Sequence, residues 1–105
     1  MVEPFDLQWD ERELVSVVLQ DVRTGEVLKL AHMNAEALAR TRRTGIVHLW
    51  DAEQGEVTRA GMASGGGLHV VEVRVDCDGD ALLLRVNPAG PTCRSGQWSC
   101  FHRRL

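Results

Sequence analysis

Short apolar runs alternate with polar, glycine-bearing breaks along most of this chain. Residues 1–12 are mainly polar, with Pro4 and Trp9, and read as an arm or short turn. Leu14, Val15, Val17, Val18 and Leu19 form a β-branched run that predicts a first strand. Residues 21–25 predict a turn, and residues 26–33 a second strand that is apolar on both faces. Asn34 then offers an N-cap, residues 35–44 are strong helix formers, and Gly45 supplies the left-handed stop. Arg40, Arg42 and Arg43 fall in the last turns, where cations suit the helix dipole and remain solvated. Residues 46–50 predict a third strand, 51–55 a polar turn and 56–60 a weaker edge strand. A glycine-rich stretch, residues 61–67, leads into two runs, 68–75 and 81–86, that read as a hairpin. Residues 87–91 read as a loop, and Ser95-Gly96 as a turn within the last segment, 92–102.

This order of elements predicts an α+β fold, mainly β. The 105 residues suffice for one small domain, 1–105, and the 44% apolar content is ordinary for a globular chain. Twelve basic and 15 acidic residues give a net charge of -3, which argues against a nucleic-acid partner. Glu3, Asp6 and Asp10 at the start do not resemble a secretory signal, and no apolar run reaches the ~20 residues of a membrane span. Three cysteines cannot close into pairs, which points to a reducing compartment, the cytoplasm.

The chemistry concentrates in Asp76-Cys77-Asp78-Gly79-Asp80. Held extended, this run would put three carboxylates on one face and the thiol on the other. That would sort oxygen ligands for magnesium or calcium from a sulfur ligand for zinc. The same residues also carry Asp-Gly, a strong hairpin-turn signal. An EF-hand does not fit, because the glycine stands fourth and Asn87 occupies the closing acidic position. Cys77, Cys93 and Cys100 suffice for a zinc shell with one open position, and equally for three buried, inert thiols. The glycines of 61–67 offer amides to an anion, although their spacing matches no phosphate loop. Of the scattered histidines, His32, His48, His69 and His102, His69 is the best proton-transfer candidate, lying between the glycine stretch and the aspartates.

The chain resembles the phosphoribosyl-AMP cyclohydrolase family of histidine biosynthesis. The matching pieces are Thr24-Gly25-Glu26-Val27-Leu28, Met33-Asn34-x-Glu36-Ala37-Leu38, Thr44-Gly45 and Trp50. More specific are Val75-Asp76-Cys77-Asp78-Gly79-Asp80-Ala81-Leu82-Leu83-Leu84, Gly90-Pro91-x-Cys93 and Ser99-Cys100-Phe101. The resemblance runs from Val17 to Arg103 in one register. It implies an intertwined homodimer that hydrolyses a C–N bond of a purine-like ring, between N1 and C6. It also implies zinc on Cys77 of one subunit with Cys93 and Cys100 of the other, and magnesium on Asp76, Asp78 and Asp80. Zinc lowers the pKa of its water towards ~7, which suits hydrolysis of an amidine carbon.

Three departures bear on the substrate. A Ser-Arg-Ser-Arg-like run of the family is here Asp51-Ala52-Glu53-Gln54. Its Lys-Gly-Glu-Thr-Ser-Gly loop is here Ala60-Gly61-Met62-Ala63-Ser64-Gly65, and the histidine after its second cysteine is here Arg94. Trp50, Arg59, Ser64, Gly65 and Arg94 remain as candidate substrate contacts, with Arg59 and Arg94 offsetting part of the lost positive charge. On this reading the expected substrate is a smaller, less anionic relative of phosphoribosyl-AMP, and His69 the proton-transfer group. The rival reading is a non-catalytic dimer whose metals serve folding or partner binding.

Overall fold

The computed structural model describes residues 7–61 and 66–105. Its elements follow in the order β1 (Val15–Asp21), β2 (Val27–Met33), α1 (Ala35–Thr44), β3 (His48–Asp51), β4 (Glu56–Arg59), β5 (Leu68–Val75) and β6 (Ala81–Pro88). Four strands form one sheet in the order β2-β1-β6-β5, and β3-β4 form a separate two-stranded ribbon. One helix against this much sheet makes the domain α+β and mainly β, as expected.

The centre of the sheet is a parallel pair. β1 and β6 run side by side with Val17 beside Leu82, Leu19 beside Leu84 and Asp21 beside Val86. Every one of these residues is buried, so period-two alternation on both strands feeds a single core face. β2 and β5 are antiparallel neighbours at the two edges. The expected 68–75 and 81–86 hairpin therefore forms, but β6 continues to Pro88, because Leu68 still pairs with it there.

Helix α1 lies on the core face with Ala37, Leu38 and Thr41 buried. Its signals act as read: Asn34 accepts from the Ala37 amide at 2.8 Å, and Gly45 closes the helix at φ 76°. Thr41 then fastens the helix to the ribbon. Its hydroxyl donates to the Ala37 carbonyl and accepts from the His48 amide, both at 2.8 Å.

Two boundaries differ from the sequence expectation for physical reasons. Strand β3 starts at His48 because Ile46 and Val47 bond towards β5: Ile46 bridges His69, and the Val47 amide donates to Leu68. The arm is also less polar in effect than in composition. Leu7 is buried in the core, Trp9 packs against it, and the Gln8 amide donates to the Gly79 carbonyl at 2.7 Å.

The segment that carries two of the cysteines is docked on the outer edge of β2. The Ser99 hydroxyl donates to Val27 at 2.7 Å, and the Cys100 amide donates to Leu28 at 2.8 Å. A buried carboxylate completes the attachment. Asp21 is wholly inaccessible and accepts from the Arg23 amide at 2.9 Å and from the Trp98 indole at 3.3 Å. The Arg23 guanidinium lies 3.4 Å from the same carboxylate and 5.7 Å from the centre of the Trp98 ring. Burial pushes the Asp21 carboxyl up, but the Arg23 amide, the Arg23 guanidinium and the Trp98 indole together hold it below its ordinary value.

A depressed folded pKa adds stability that is complete above about pH 4 and fades as pH falls through the folded value. Asp21→Asn keeps the shape but loses the charge and one acceptor oxygen. We expect it to lower unfolding free energy by roughly 1–3 kcal/mol at neutral pH. In urea titrations the gap from wild type should narrow below about pH 4. A gap that stays constant into acid would remove Asp21 as the charged anchor of the cysteine segment.

Candidate active site

The run Asp76-Cys77-Asp78-Gly79-Asp80 does not stay extended. It closes as the turn between β5 and β6, with the Gly79 amide donating to Asp76 at 2.9 Å and the Asp76 amide to Ala81 at 2.9 Å. Gly79 sits at φ 74°, a left-handed conformation that glycine adopts without a Cβ penalty. The expected sorting of carboxylates from the thiol is lost with the extended backbone. Ligand atoms of Asp76, Cys77 and Asp78 all lie within 4.8 Å of one another, on exposed side chains. Asp80 meets Asp76 instead. Their hydrogen bond holds Asp76 below the ordinary carboxylate range and is the main cause that raises Asp80. This turn thus gathers oxygen donors that suit a hard cation, with one sulfur among them.

Cys93 and Cys100 meet at another place. The turn at Ser95-Gly96 forms as expected, with the Gly96 amide donating to Cys93 at 2.9 Å. It brings the two thiols close enough for each to influence the ionisation of the other. Their surroundings differ. The Ser95 hydroxyl, 3.1 Å from Cys93 Sγ, and the Ser95 amide favour the Cys93 thiolate and lower its pKa. Burial raises that of Cys100, against the pull of Lys29, whose Nζ lies 3.9 Å from the sulfur. None of the three cysteines is in a disulfide. They are also not the three fully buried thiols of the inert alternative, since Cys77 is exposed and the other two are half-buried.

Among the described residues, Cys77 does not join Cys93 and Cys100 in one cluster. A single chain therefore offers zinc two convergent sulfurs at one place and a third sulfur elsewhere. Two thiols fit half of a tetrahedral shell, and the described residues of one chain bring no third cysteine to them.

A cavity of 380 Å³ opens beside the cysteine pair. Lys29 and His32 of β2 form one side, with Thr92 and Arg94 from either side of Cys93. Trp50, Asp51, Glu53 and Thr58 of the ribbon and its turn form the other. Two of the substrate candidates, Trp50 and Arg94, line this cavity. Arg59 does not: it is exposed on β4, across from His48. Ser64 and Gly65 lie outside the described residues. His69 is exposed at the start of β5, the end opposite the aspartate turn. Seven residues of strand separate it from Asp76, roughly 23 Å at the usual rise of ~3.3 Å. Within one chain it is not part of the cavity lining.

The acidic residues at positions 51–54 have a local cause. Asp51 Oδ1 accepts from the Glu53 amide at 3.0 Å and the Gln54 amide at 3.1 Å, closing the β3-β4 turn. Sequence reading missed Lys29 and Thr92. Lysine in a strand raises no alarm, and its nearness to Cys100 depends on the docking of the last segment. Thr92 Oγ1 is fully buried with no hydrogen-bond partner among the described residues. Leaving such a hydroxyl unpaired costs about 1–3 kcal/mol.

The family profile described as Phosphoribosyl-AMP cyclohydrolase matches residues 29–102. Phosphoribosyl-AMP cyclohydrolase of Sphingopyxis alaskensis is 50% identical over 98 residues, covering 93% of this chain and 78% of that protein. The enzyme of the same name from Archaeoglobus fulgidus is 47% identical over 100 residues, covering 95% of this chain and 93% of the relative. Histidine biosynthesis bifunctional protein HisIE of Thermus thermophilus is 50% identical over 99 residues, covering 94% of this chain and 46% of the longer protein. Similarity of this extent does not support the smaller, less anionic substrate, nor the non-catalytic dimer, that the departures at 51–54, 60 and 94 suggested. A profile match across most of the chain and near-half identity to full-length relatives lead to one assignment: the chain belongs to the phosphoribosyl-AMP cyclohydrolase family.

Proposed function

We propose that this chain hydrolyses phosphoribosyl-AMP in the cytoplasm, opening the six-membered ring of the purine at its N1–C6 bond, with residues 1–105 as one catalytic domain. The observation that carries the proposal is the cavity of 380 Å³ beside the convergent Cys93 and Cys100, in a chain of this family. Its size and mixed lining suit a nucleotide: Trp50 offers a flat apolar face to a base, and Lys29 and Arg94 offer charge to phosphates.

Cys93 and Cys100 would hold zinc together with Cys77 of a second subunit, and Asp76, Asp78 and Asp80 would hold magnesium. Zinc supplies an acidified water, ionised near neutral pH. The protein's own part is to keep the two thiols convergent through the Ser95-Gly96 turn. Ser95 favours the thiolate at Cys93, and Lys29 opposes the effect of burial at Cys100. His69 serves as the proton-transfer group in this proposal, and it too would have to reach the cavity from the partner subunit. Arg59, Ser64 and Gly65 stay in the proposal as substrate contacts, although Arg59 is outside the cavity lining of one chain.

A homodimer agrees with what the monomer leaves open. Both sheet edges carry exposed apolar side chains: Leu30 on β2, and Val71 and Val73 on β5. Exposed apolar side chains of this kind suit burial against a second chain. The expected dimer is intertwined, since the aspartate turn of one chain must reach the cysteine pair of the other.

With zinc and magnesium present, purified protein should open phosphoribosyl-AMP with kcat/KM at or above the ~10⁴ M⁻¹s⁻¹ lower range for enzymes. Ring opening can be followed by ultraviolet absorbance. No turnover by protein shown to contain zinc would refute the assignment of substrate.

Subunit mixing tests the shared metal site. Cys77→Ser and the double change Cys93→Ser with Cys100→Ser each break every site in their own homodimers. In a mixed dimer one site has all three sulfurs and the other has none. Metal analysis of isolated mixed dimers should find about half the wild-type zinc, with activity returning alongside. Verified mixed dimers that recover no zinc would show that the sulfurs are not shared.

A further inference from the structure

We propose that Lys29 and Arg94 form a phosphate-binding subsite beside the cysteine pair, in the cavity that Asp51 and Glu53 line from the ribbon. The inference rests on the reading of the cavity as a nucleotide site and names the side chains that take the nucleotide's charge.

The cavity is electrically divided. Asp51 and Glu53 line the ribbon side, where Asp51 is already committed to the amides that close its turn. A phosphate placed there would meet two carboxylates and no cation from positions 51–54 or 60. Lys29 and His32 line the same cavity from β2, and Arg94 lines it from the cysteine segment. A dianionic phosphate is therefore drawn across the cavity, towards the cysteine segment.

Two cations of different kinds line the cavity. Lys29 is half-buried on β2, with its register fixed opposite Leu19, so its stem is held while the ammonium faces the cavity. An ammonium has three donors, and Cys100 Sγ, at 3.9 Å, occupies at most one. Arg94 is exposed and forms no ion pair among the described residues, so its fork is available for two parallel bonds to phosphate oxygens. Thr92 also lines the cavity, but its Oγ1 is buried away from it and takes no part in the subsite. Phosphate oxygens accept from both cations. The subsite is also fixed in place, because Arg94 follows Cys93 and Lys29 adjoins Cys100.

The competing role for Lys29 is to neutralise the thiolates alone, and the experiment separates the two. AMP and adenosine differ only in the phosphate, so calorimetric titration of the zinc-loaded protein with each isolates its contribution. Wild type should bind AMP at least about tenfold tighter than adenosine. Lys29→Gln and Arg94→Gln, each compared with wild type at equal zinc loading, should weaken AMP by about 10-fold or more and leave adenosine unchanged. Lys29→Arg should recover most of the AMP affinity. KM for phosphoribosyl-AMP should rise in step while kcat stays within about threefold.

Equal affinity for AMP and adenosine in wild type would overturn the subsite. So would Lys29→Gln and Arg94→Gln variants that hold AMP normally, or a Lys29→Gln defect explained by lost zinc. Normal ring opening with these variants unaffected would sink the subsite and leave the enzymatic assignment standing. Phosphate-dependent AMP binding through Lys29 and Arg94, without ring opening, would do the reverse.

Discussion

A single buried carboxylate holds the site in place. Asp21 ends β1, stands beside Val86 of β6, and accepts from both Arg23 and Trp98. It thereby joins the centre of the sheet, the first hairpin and the segment that carries Cys93 and Cys100. An ionised group in a closed interior is tolerated only with charge and hydrogen bonds around it, and here these come from the neighbouring Arg23 and from Trp98, remote in the chain. Without that anchor the segment would keep the two bonds near its end, Ser99 to Val27 and Cys100 to Leu28. Those fix Cys100 but leave the approach of Cys93 to the turn alone.

The cavity follows from the same economy of contacts. One wall is the edge of β2, extended by the docked cysteine segment; the other is the β3-β4 ribbon. Thr41 sets their separation, because its hydroxyl links the helix, which follows β2, to the first residue of β3. The helix is thus a spacer, and its apolar face at Ala37 and Leu38 fixes how far the ribbon stands from the sheet. Cavity volume depends on helix docking, while the chemistry of its walls depends on β2 and the cysteine segment.

Local order was legible in the sequence, and long-range order was not. Asn34 and Gly45 mark the helix through their own backbone bonds, and alternating apolar residues mark β5 and β6, so both could be read directly. The parallel pairing of β1 with β6 has no local signal, since strands remote in sequence meet only through the whole core. The resemblance pointed to the cysteines and aspartates and set Cys77 apart from Cys93 and Cys100, but it did not show the turn that gathers Asp76, Cys77 and Asp78. Asp-Gly turned the aspartate run back on itself and removed the two-faced arrangement that a straight strand would have given. Lys29 and Thr92 stayed hidden because neither residue type is unusual where it stands; only the docked segment makes them neighbours of a thiol and of a cavity.

The two cysteines also show why position matters more than residue type. Ser95 hydrogen-bonds Cys93 and eases its ionisation, whereas Cys100 is more deeply enclosed and resists it. A metal that takes both sulfurs must overcome the resistance at Cys100, and the ammonium of Lys29 lies where that charge would build up. If the same ammonium also meets a phosphate, it stands between two anions, the thiolate and the ligand, and its attraction to each screens their mutual repulsion. Arginine next to Cys93, where a neutral side chain would leave the wall with one cation, supplies the second positive charge that such an arrangement requires. The departure at Arg94 and the cation at Lys29 are therefore parts of one electrostatic arrangement. A chain with an acidic ribbon turn can still receive a nucleotide, provided that its charge is met on the side of the metal.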